Sequence, residues 1–560
     1  MSADLAFIAP EGSPPPPAPS TPAVPRITAR LQHGPLAPAL AFAAGLAAAL
    51  GFAPIGIFAF TLFGLAALVV LCEAAPRRAR VLGWLWGIGH FAFGTRWIAE
   101  AFTYQDKMPH WLGWPVVLGL AALLATMPLI ACWLTWRVFP RHRTGGTPGR
   151  AAARSGFGTV APEVGTERAR VLARLWVFPA AWIATEWLRG HLFTGFPWNP
   201  LAASTLDVPG LAQPAALIGA LGLSGVIALI AAAIGFNRWR VAVVAALTLV
   251  VVALARVGWI DAYAPGAQPI IELVIVQPNI SQADKWNPAQ QARNLDTLMR
   301  LSRSVPAPTP GHPRVILWPE VALADAEAER DPALRAQLAT LLRPGDYLIT
   351  GGLAVDGNAA GQPVTAHNRV FVIDSAGAIR GRHDKSHLVP GGEYVPLRPL
   401  ADALGLSRLA PGDIDFTPGP GARTVVLPGL DAPVGPLICY EMIFAHAIVD
   451  EAHRPRWLFN PSNDGWFADT GPWQHLALAR LRAIEEGLPI ARSTPTGVSA
   501  LIGAAGELLA IVPPKTPGAL LRPLPRELAM PLSARGGDLI PLALALLALA
   551  VAWRTTRQRT

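Results

Sequence analysis

Val434-Gly-Pro-Leu-Ile-Cys-Tyr-Glu-Met-Ile-Phe444 decides how the chain is read: an apolar run of strand character breaks off at a cysteine. In open α/β sheets reactive groups collect at the carboxyl ends of strands, so a polar residue directly after an apolar run is a candidate for chemistry. Residues 440–444 read as the start of a helix, which predicts that the Cys439 thiol feels a helix N-terminus and leans toward thiolate. A lone cysteine in that place is more often a small core residue. Two further strand ends share the pattern. Arg314-Val-Ile-Leu-Trp-Pro-Glu320 is broken by Pro319 and presents Glu320, and Arg382-His-Asp-Lys-Ser-His-Leu-Val-Pro390 presents Lys385 in a loop after a strand. Lys385 is one of four lysines against 42 arginines, and a compact ammonium fits beside a reacting carbonyl where a guanidinium is too broad.

Around these three residues, β-rich runs at 271–276, 315–318, 347–353, 370–374, 424–427 and 434–438 alternate with helical segments, the signature of an α/β domain. Residues 257–537 are enough for one large core. The domain carries no cluster of residues with metal-ligand spacing and no nucleotide-binding loop, so no cofactor and no metal are expected.

The rest of the chain is of another kind. Of its 560 residues 52% are hydrophobic and 15% charged, against about 25% charged in ordinary soluble chains. Its mean hydropathy of +0.37 excludes a disordered protein. Apolar stretches of roughly spanning length occur at 37–53, 55–74, 82–99, 114–136, 171–188, 213–235, 240–256 and 538–553. Any one of them alone has a buried soluble helix as its alternative; eight together favour membrane spans. Arg26 and Arg30 precede the first, Arg77, Arg78 and Arg80 follow the second, and Arg137, Arg141, Arg143, Arg150 and Arg154 follow the fourth. Arg238 and Arg240 follow the sixth, and Arg554, Arg557 and Arg559 the eighth, whereas the alternate short loops carry only Lys107 and Arg189. Arginine-rich short loops stay cytoplasmic. Both termini are therefore expected inside and the α/β block outside, on the periplasmic side of a bacterial inner membrane. The net charge of +9 reflects this topology rather than a nucleic-acid partner. Cys72 and Cys132 fall inside apolar runs, which leaves no disulfide framework. The expected division is a disordered cytoplasmic tail at 1–36, seven transmembrane helices over 37–256, the exported domain at 257–537, an eighth helix at 538–553 and a short cytoplasmic tail at 554–560.

The ordered words of the sequence resemble the nitrilase, or carbon-nitrogen hydrolase, superfamily, and most closely its membrane-embedded branch, the apolipoprotein N-acyltransferases. They are Val276-Gln-Pro-Asn-Ile280 with Lys285-Trp286, Leu317-Trp-Pro-Glu320, Asp384-Lys-Ser-His-Leu-Val-Pro-Gly-Gly-Glu-Tyr-Val-Pro396 and Ile438-Cys-Tyr-Glu441. Asn460-Pro-Ser-Asn-Asp-Gly-Trp-Phe467 with Gly471-Pro-Trp-Gln-His475, and Leu192-Phe-Thr-Gly-Phe-Pro-Trp198 in the apolar half, match as well. The resemblance covers most of 37–553. It implies a polytopic α-helical membrane protein of about eight transmembrane helices bearing an exported nitrilase-like α-β-β-α sandwich. It also implies a Glu-Lys-Cys triad in which Cys439 is the nucleophile, Glu320 the general base and Lys385 the stabiliser of the tetrahedral intermediate.

By the same resemblance Glu393, Tyr440, Glu441 and Trp286 support the triad. For Tyr440 and Trp286 plain packing is the alternative, and for Glu393 a pairing with Lys385. The implied partners are a glycerophospholipid acyl donor, a diacylglyceryl apolipoprotein acceptor and membrane lipids, with the enzyme a monomer. Lipid substrates must arrive laterally, so Trp466, Phe467 and Trp473 are candidates for a covering loop, and Phe196 and Trp198 for the membrane interface, with plain packing the equal alternative for each. Arg96, Arg174 and Glu186 lie in or near spans, where ionisable groups are costly. Two departures from the family pattern, Gly392 and a segment one residue short before Gly471, fall in loops near the site. The competing readings are a membrane-anchored nitrilase or amidase in which water resolves the thioester, and a binding or transport protein with a structural triad.

Overall fold

The computed structural model describes residues 34–105, 108–137, 161–262, 271–324, 328–358, 363–403, 407–409, 414–445 and 447–557. The N-terminal tail with Arg26 and Arg30, Lys107, the cluster Arg141, Arg143, Arg150 and Arg154, and Arg559 lie outside them. Each of the eight apolar stretches coincides with helix: α1 (Leu36–Ala49), α2 (Phe58–Ala74), α3 (Ala79–Gly94), α4 (Gly113–Leu124) with α5 (Thr126–Arg137), α6 (Ala161–His191), α7 (Ala215–Gly235), α8 (Trp239–Ala262) and a last helix, Leu539–Arg557. His110–Arg137, α7, α8 and Leu539–Arg557 are long and apolar enough to cross a membrane; α2 and the segment Pro76–Gly94 form a further candidate bent by 115°.

The outward faces stay apolar. Phe63, Val244, Leu247, Val251, Leu254, Leu546 and Leu547 are all exposed, a pattern suited to hydrocarbon and not to water. Arg174 and Glu186, inside the bundle, each face an opposite charge. Arg174 lies 3.1 Å from Glu73, and Glu186 accepts from the Leu201 amide at 3.0 Å and faces Arg189 at 3.9 Å. Arg96 turns back to donate to the Phe93 carbonyl at 3.0 Å.

Eleven strands follow α8 among the described residues: β1 (Glu272–Gln277), β2 (Arg314–Leu317), β3 (Tyr347–Gly357), β4 (Pro363–Asp374), β5 (Ile379–Asp384), β6 (Val434–Pro436), β7 (Trp457–Pro461), β8 (Ile490–Ser493), β9 (Ser499–Ile502), β10 (Leu508–Val512) and β11 (Gly518–Pro523). They form a six-stranded sheet ordered β11-β1-β2-β3-β4-β5 and a five-stranded sheet ordered β10-β9-β8-β7-β6. Strand periodicity sorts the side chains into layers. Leu273, Ile275, Val315, Leu317, Val370 and Val372 meet Val434, Trp457 and Phe459 between the two sheets. Val274, Val276, Ile316, Leu348 and Phe371 face the opposite way, onto Leu298, Leu301, Leu334 and Leu338 of the helices α9 (Gln291–Arg303) and α10 (Pro332–Ala339). Leu458, Ile490 and Ile502 cover the other sheet with Leu476, Ala479 and Ala483 of α11 (Gly471–Glu486). The layers therefore run α-β-β-α. The second face of α11, carrying Leu478, Leu481 and Ile484, packs on the helical bundle, so this helix joins the two halves.

The run 424–427 does not form a strand. A single bridge joins Val425 to Val434, because the turn closed by Leu430 N–H on Leu427 O, at 2.9 Å, reverses the chain straight afterwards. Residues 440–444 do not start a helix of any length either: Cys439–Ile443 is one 3-10 turn.

Candidate active site

Three loops at one end of the sandwich carry the site. β2 ends at Leu317, and the turn after it is held against β3 by Trp318 N–H on Ile349 O at 3.0 Å and by Gly351 N–H on Pro319 O at 3.3 Å. Glu320 sits on that turn. Lys385 directly follows β5, with its own amide donating to Asn368 O at 2.9 Å. Cys439 follows β6 at φ 51, a left-handed conformation that costs a non-glycine residue roughly 1–2 kcal/mol. All three side chains are buried.

The polar contacts converge on Lys385. Its Nζ donates to Glu393 Oε1 at 2.8 Å and lies 3.5 Å from Glu320 Oε1. Asn368 Nδ2 donates to that same Glu320 oxygen at 2.6 Å, and Lys285 Nζ holds the Glu320 backbone carbonyl at 2.8 Å. Glu393 is fixed in turn by the Val389 amide at 2.9 Å. Burial alone would lower the Lys385 ammonium, but the carboxylates of Glu393 and Glu320 outweigh it and hold the amine far above its ordinary range. Lys385 therefore stays charged.

The thiol behaves differently from the sequence expectation. Burial, and then the negative charge of Glu320, push Cys439 up to about 12 against the opposing pull of Lys385. A single 3-10 turn supplies too little aligned dipole to offset desolvation. The resting group is a thiol that needs a base to remove its proton, and Glu320 is the carboxylate whose charge acts on it.

Glu441 ties two of the loops together. One carboxylate accepts from the Ile438 amide at 2.7 Å, the Ser386 amide at 2.7 Å and the Ser386 hydroxyl at 2.6 Å, with His383 Nε2 at 3.4 Å. Although burial works against the charge, these donors hold Glu441 down to about 2. The Cys439 carbonyl is fixed from the far side by His475 Nε2 at 3.1 Å and Asn460 Nδ2 at 3.4 Å. His475 itself rests against Asp464 and Arg492.

The remaining candidates fall into two groups. Tyr440 reaches the helical half, donating to Gly195 O at 2.9 Å. Trp286 lies beside Lys285, whose Nζ is 5.7 Å from the ring centroid. Phe467 meets Trp97 at 4.5 Å and Trp198 at 5.8 Å, and Trp466 meets Tyr104 at 5.9 Å. Trp198 is buried, donates to Gln474 at 2.7 Å and stacks with Phe196 at 6.0 Å. These aromatics line the seam between the two halves. Trp473 stands apart, within α11 and against the Leu476 cluster.

Lys285, Asn368, Asn460 and His475 are site residues that the sequence reading gave no role. Three of them stood in or beside motif words already quoted; Asn368, in the middle of β4, left no local signal at all. A thiol, a carboxylate and a captive ammonium in one buried cluster are the parts of nucleophilic acyl transfer.

Two family profiles match the chain, the apolipoprotein N-acyltransferase N-terminal domain over residues 44–233 and carbon-nitrogen hydrolase over residues 273–532. The apolipoprotein N-acyltransferase of Allorhizobium ampelinum is 33% identical over 488 residues, covering 84% of this chain and 86% of its own. That of Bradyrhizobium diazoefficiens is 32% identical over 533 residues, covering 91% and 93%. Among solved structures the chain is similar to a mutant of the Nesterenkonia AN1 amidase from the nitrilase superfamily, at 19% identity and a TM-score of 0.33, covering 46% of this chain and 92% of that one.

Proposed function

The chain belongs to the apolipoprotein N-acyltransferase family, and on that premise we propose that it moves an acyl chain from a glycerophospholipid, through a thioester on Cys439, to the α-amine of an N-terminal diacylglyceryl-cysteine. The observation that carries this reading is the buried Lys385 ammonium between Glu320 and Glu393, at the end of the sandwich that bears Cys439. Glu320 takes the thiol proton as Cys439 Sγ attacks the ester carbonyl. The oxyanion faces Lys385. Collapse breaks the ester C–O bond, and Glu320 returns its proton to the departing lysophospholipid alkoxide. In the second half the neutral α-amine attacks the thioester, the oxyanion again meets Lys385, and the C–S bond breaks. Glu320 passes the amine's proton to the Cys439 thiolate, which leaves an amide and the resting enzyme.

A lipid donor and a lipid-modified acceptor both suit a site bordered by a helical bundle. We infer eight membrane spans, both termini cytoplasmic and the sandwich, residues 257–537, periplasmic at a bacterial inner membrane. The arginine clusters support that orientation. Coverage of α11 by the bundle supports a monomer.

The test uses the purified full chain with phospholipid and a synthetic diacylglyceryl lipopeptide. The lipopeptide is expected to gain the mass of one acyl chain by an amide bond. Release of free fatty acid, with the lipopeptide unchanged, would instead make the protein a hydrolase.

A further inference from the structure

Between α6 and α7 the helical half offers the segment Leu192–Trp198 to the sandwich, and it meets there the two loops that carry Cys439 and Lys385. Tyr440, next to Cys439, donates its hydroxyl to Gly195 O at 2.9 Å. His387, two residues beyond Lys385, places Nε2 at 2.7 Å from the neighbouring carbonyl, Thr194 O; facing an oxygen, that nitrogen carries the hydrogen. Phe444 fills the space between them. Its ring stacks on His387 at 3.7 Å and meets Tyr440 edge-on at 5.1 Å. Successive carbonyls of one segment thus receive one bond from each catalytic loop.

The segment is built to keep those carbonyls still. Phe193, Thr194 and Gly195 are left-handed in succession, at φ 55, 73 and 85, a run that persists only where its surroundings over-determine it. Gly195 N–H closes on Leu192 O at 2.9 Å and Phe196 N–H on Arg189 O at 2.8 Å. The buried Arg189 guanidinium donates to the carbonyls of Phe196 at 3.2 Å and Trp198 at 2.5 Å. A Cβ on Gly195 would stand 2.1 Å from Gly190 O and 3.0 Å from the Phe444 ring, so no side chain fits. Within the sandwich Glu441 already pins the lysine loop to the cysteine loop at Ser386. One pin leaves a hinge. A second, at His387 and Tyr440, fixes the orientation.

We propose that Leu192–Trp198 sets the register of the catalytic pair, with Tyr440 and His387 as positioning residues that transmit the geometry of the helical half to the Cys439 thiol and the Lys385 ammonium. The inference rests on the reading of those two as the reacting groups. Its test is single-turnover acyl-enzyme formation by the full chain in phospholipid micelles, with Tyr440→Phe, His387→Ala and His387→Gln. Tyr440→Phe removes one oxygen and His387→Ala one donor. Each is expected to slow acylation by up to about 100-fold, the scale of a misplacement near 1 Å, with the donor KM unchanged. The double variant should lose no more than the worse single one, because either break frees the same joint, and His387→Gln, which keeps a donor, should recover rate. An unchanged acylation rate, or a loss confined to donor KM, overturns the proposal. Alkylation of Cys439 by iodoacetamide, which needs no lipid, separates this inference from the functional reading. Should the wild type form no acyl-enzyme, that reading falls, and a slower alkylation in Tyr440→Phe still supports the register while an equal rate overturns it.

Discussion

At the scale of single residues the chemistry depends on burial set against charge. Cys439, pushed up to about 12, is expected to alkylate ever faster with pH through the whole range in which the fold survives; a plateau near neutrality in an iodoacetamide rate profile would contradict the buried, base-dependent thiol. Glu441 lies below its ordinary 4.5, at about 2. A carboxylate depressed on folding stabilises above its unfolded value and loses that contribution as pH falls through the folded one. Between pH 4.5 and 2 this one group withdraws on the order of 3 kcal/mol. Denaturant midpoints measured across that window should fall steeply in the wild type and less so in Glu441→Gln; parallel curves would contradict the assignment. Much of this site was legible in the sequence, since Glu320, Lys385 and Cys439 each stand where a strand stops. Asn368 was not, because nothing in a mid-strand asparagine tells that it will hold a carboxylate 48 positions away. The left-handed Cys439 was hidden for a similar reason: its carbonyl is held by His475 and Asn460, which come from other elements.

At the scale of elements, what positions Glu320 is the close approach of its turn to β3. A Cβ at Gly351 would lie 2.6 Å from Val321 N and 2.8 Å from Pro319 O, so Gly351→Ala must push the turn outward. The expected cost is about 1–3 kcal/mol, typical of overpacking, with acylation slowed beyond what the loss of stability explains; thermal unfolding and single-turnover rates on one preparation check both. Wild-type values for the two would show that the turn has slack. Here the sequence reading found β1 to β4 and β6 from their apolar runs, but missed β5, where Ile379-Arg-Gly-Arg-His-Asp384 is mostly polar yet pairs along β4, and also missed β7 to β11. It also took 424–427 for a strand and 440–444 for the start of a helix. Both segments are short: a turn at 427–430 reverses the chain after the first, and the second closes as a single 3-10 turn capped by its own Glu441 on the Ile438 amide, so neither local preference is carried further.

At the scale of the whole molecule, α11 serves both halves at once, with Ala479 and Ala483 on the sheet and Leu478 and Leu481 on the bundle. The helical half is in this account part of the active site as well as its address. The proposed orientation predicts that a cysteine at the exposed Asp431, in Asp431→Cys, reacts with a membrane-impermeant maleimide in intact spheroplasts, and that Arg554→Cys reacts only after lysis. The reverse pattern would place the sandwich in the cytoplasm. The most direct test of the central claim is the intact mass of the purified protein after incubation with phospholipid and no acceptor. The wild type is expected to gain one acyl chain and Cys439→Ala none; a wild type that stays unmodified with a competent donor, or an equal gain on Cys439→Ala, would contradict the thioester on Cys439.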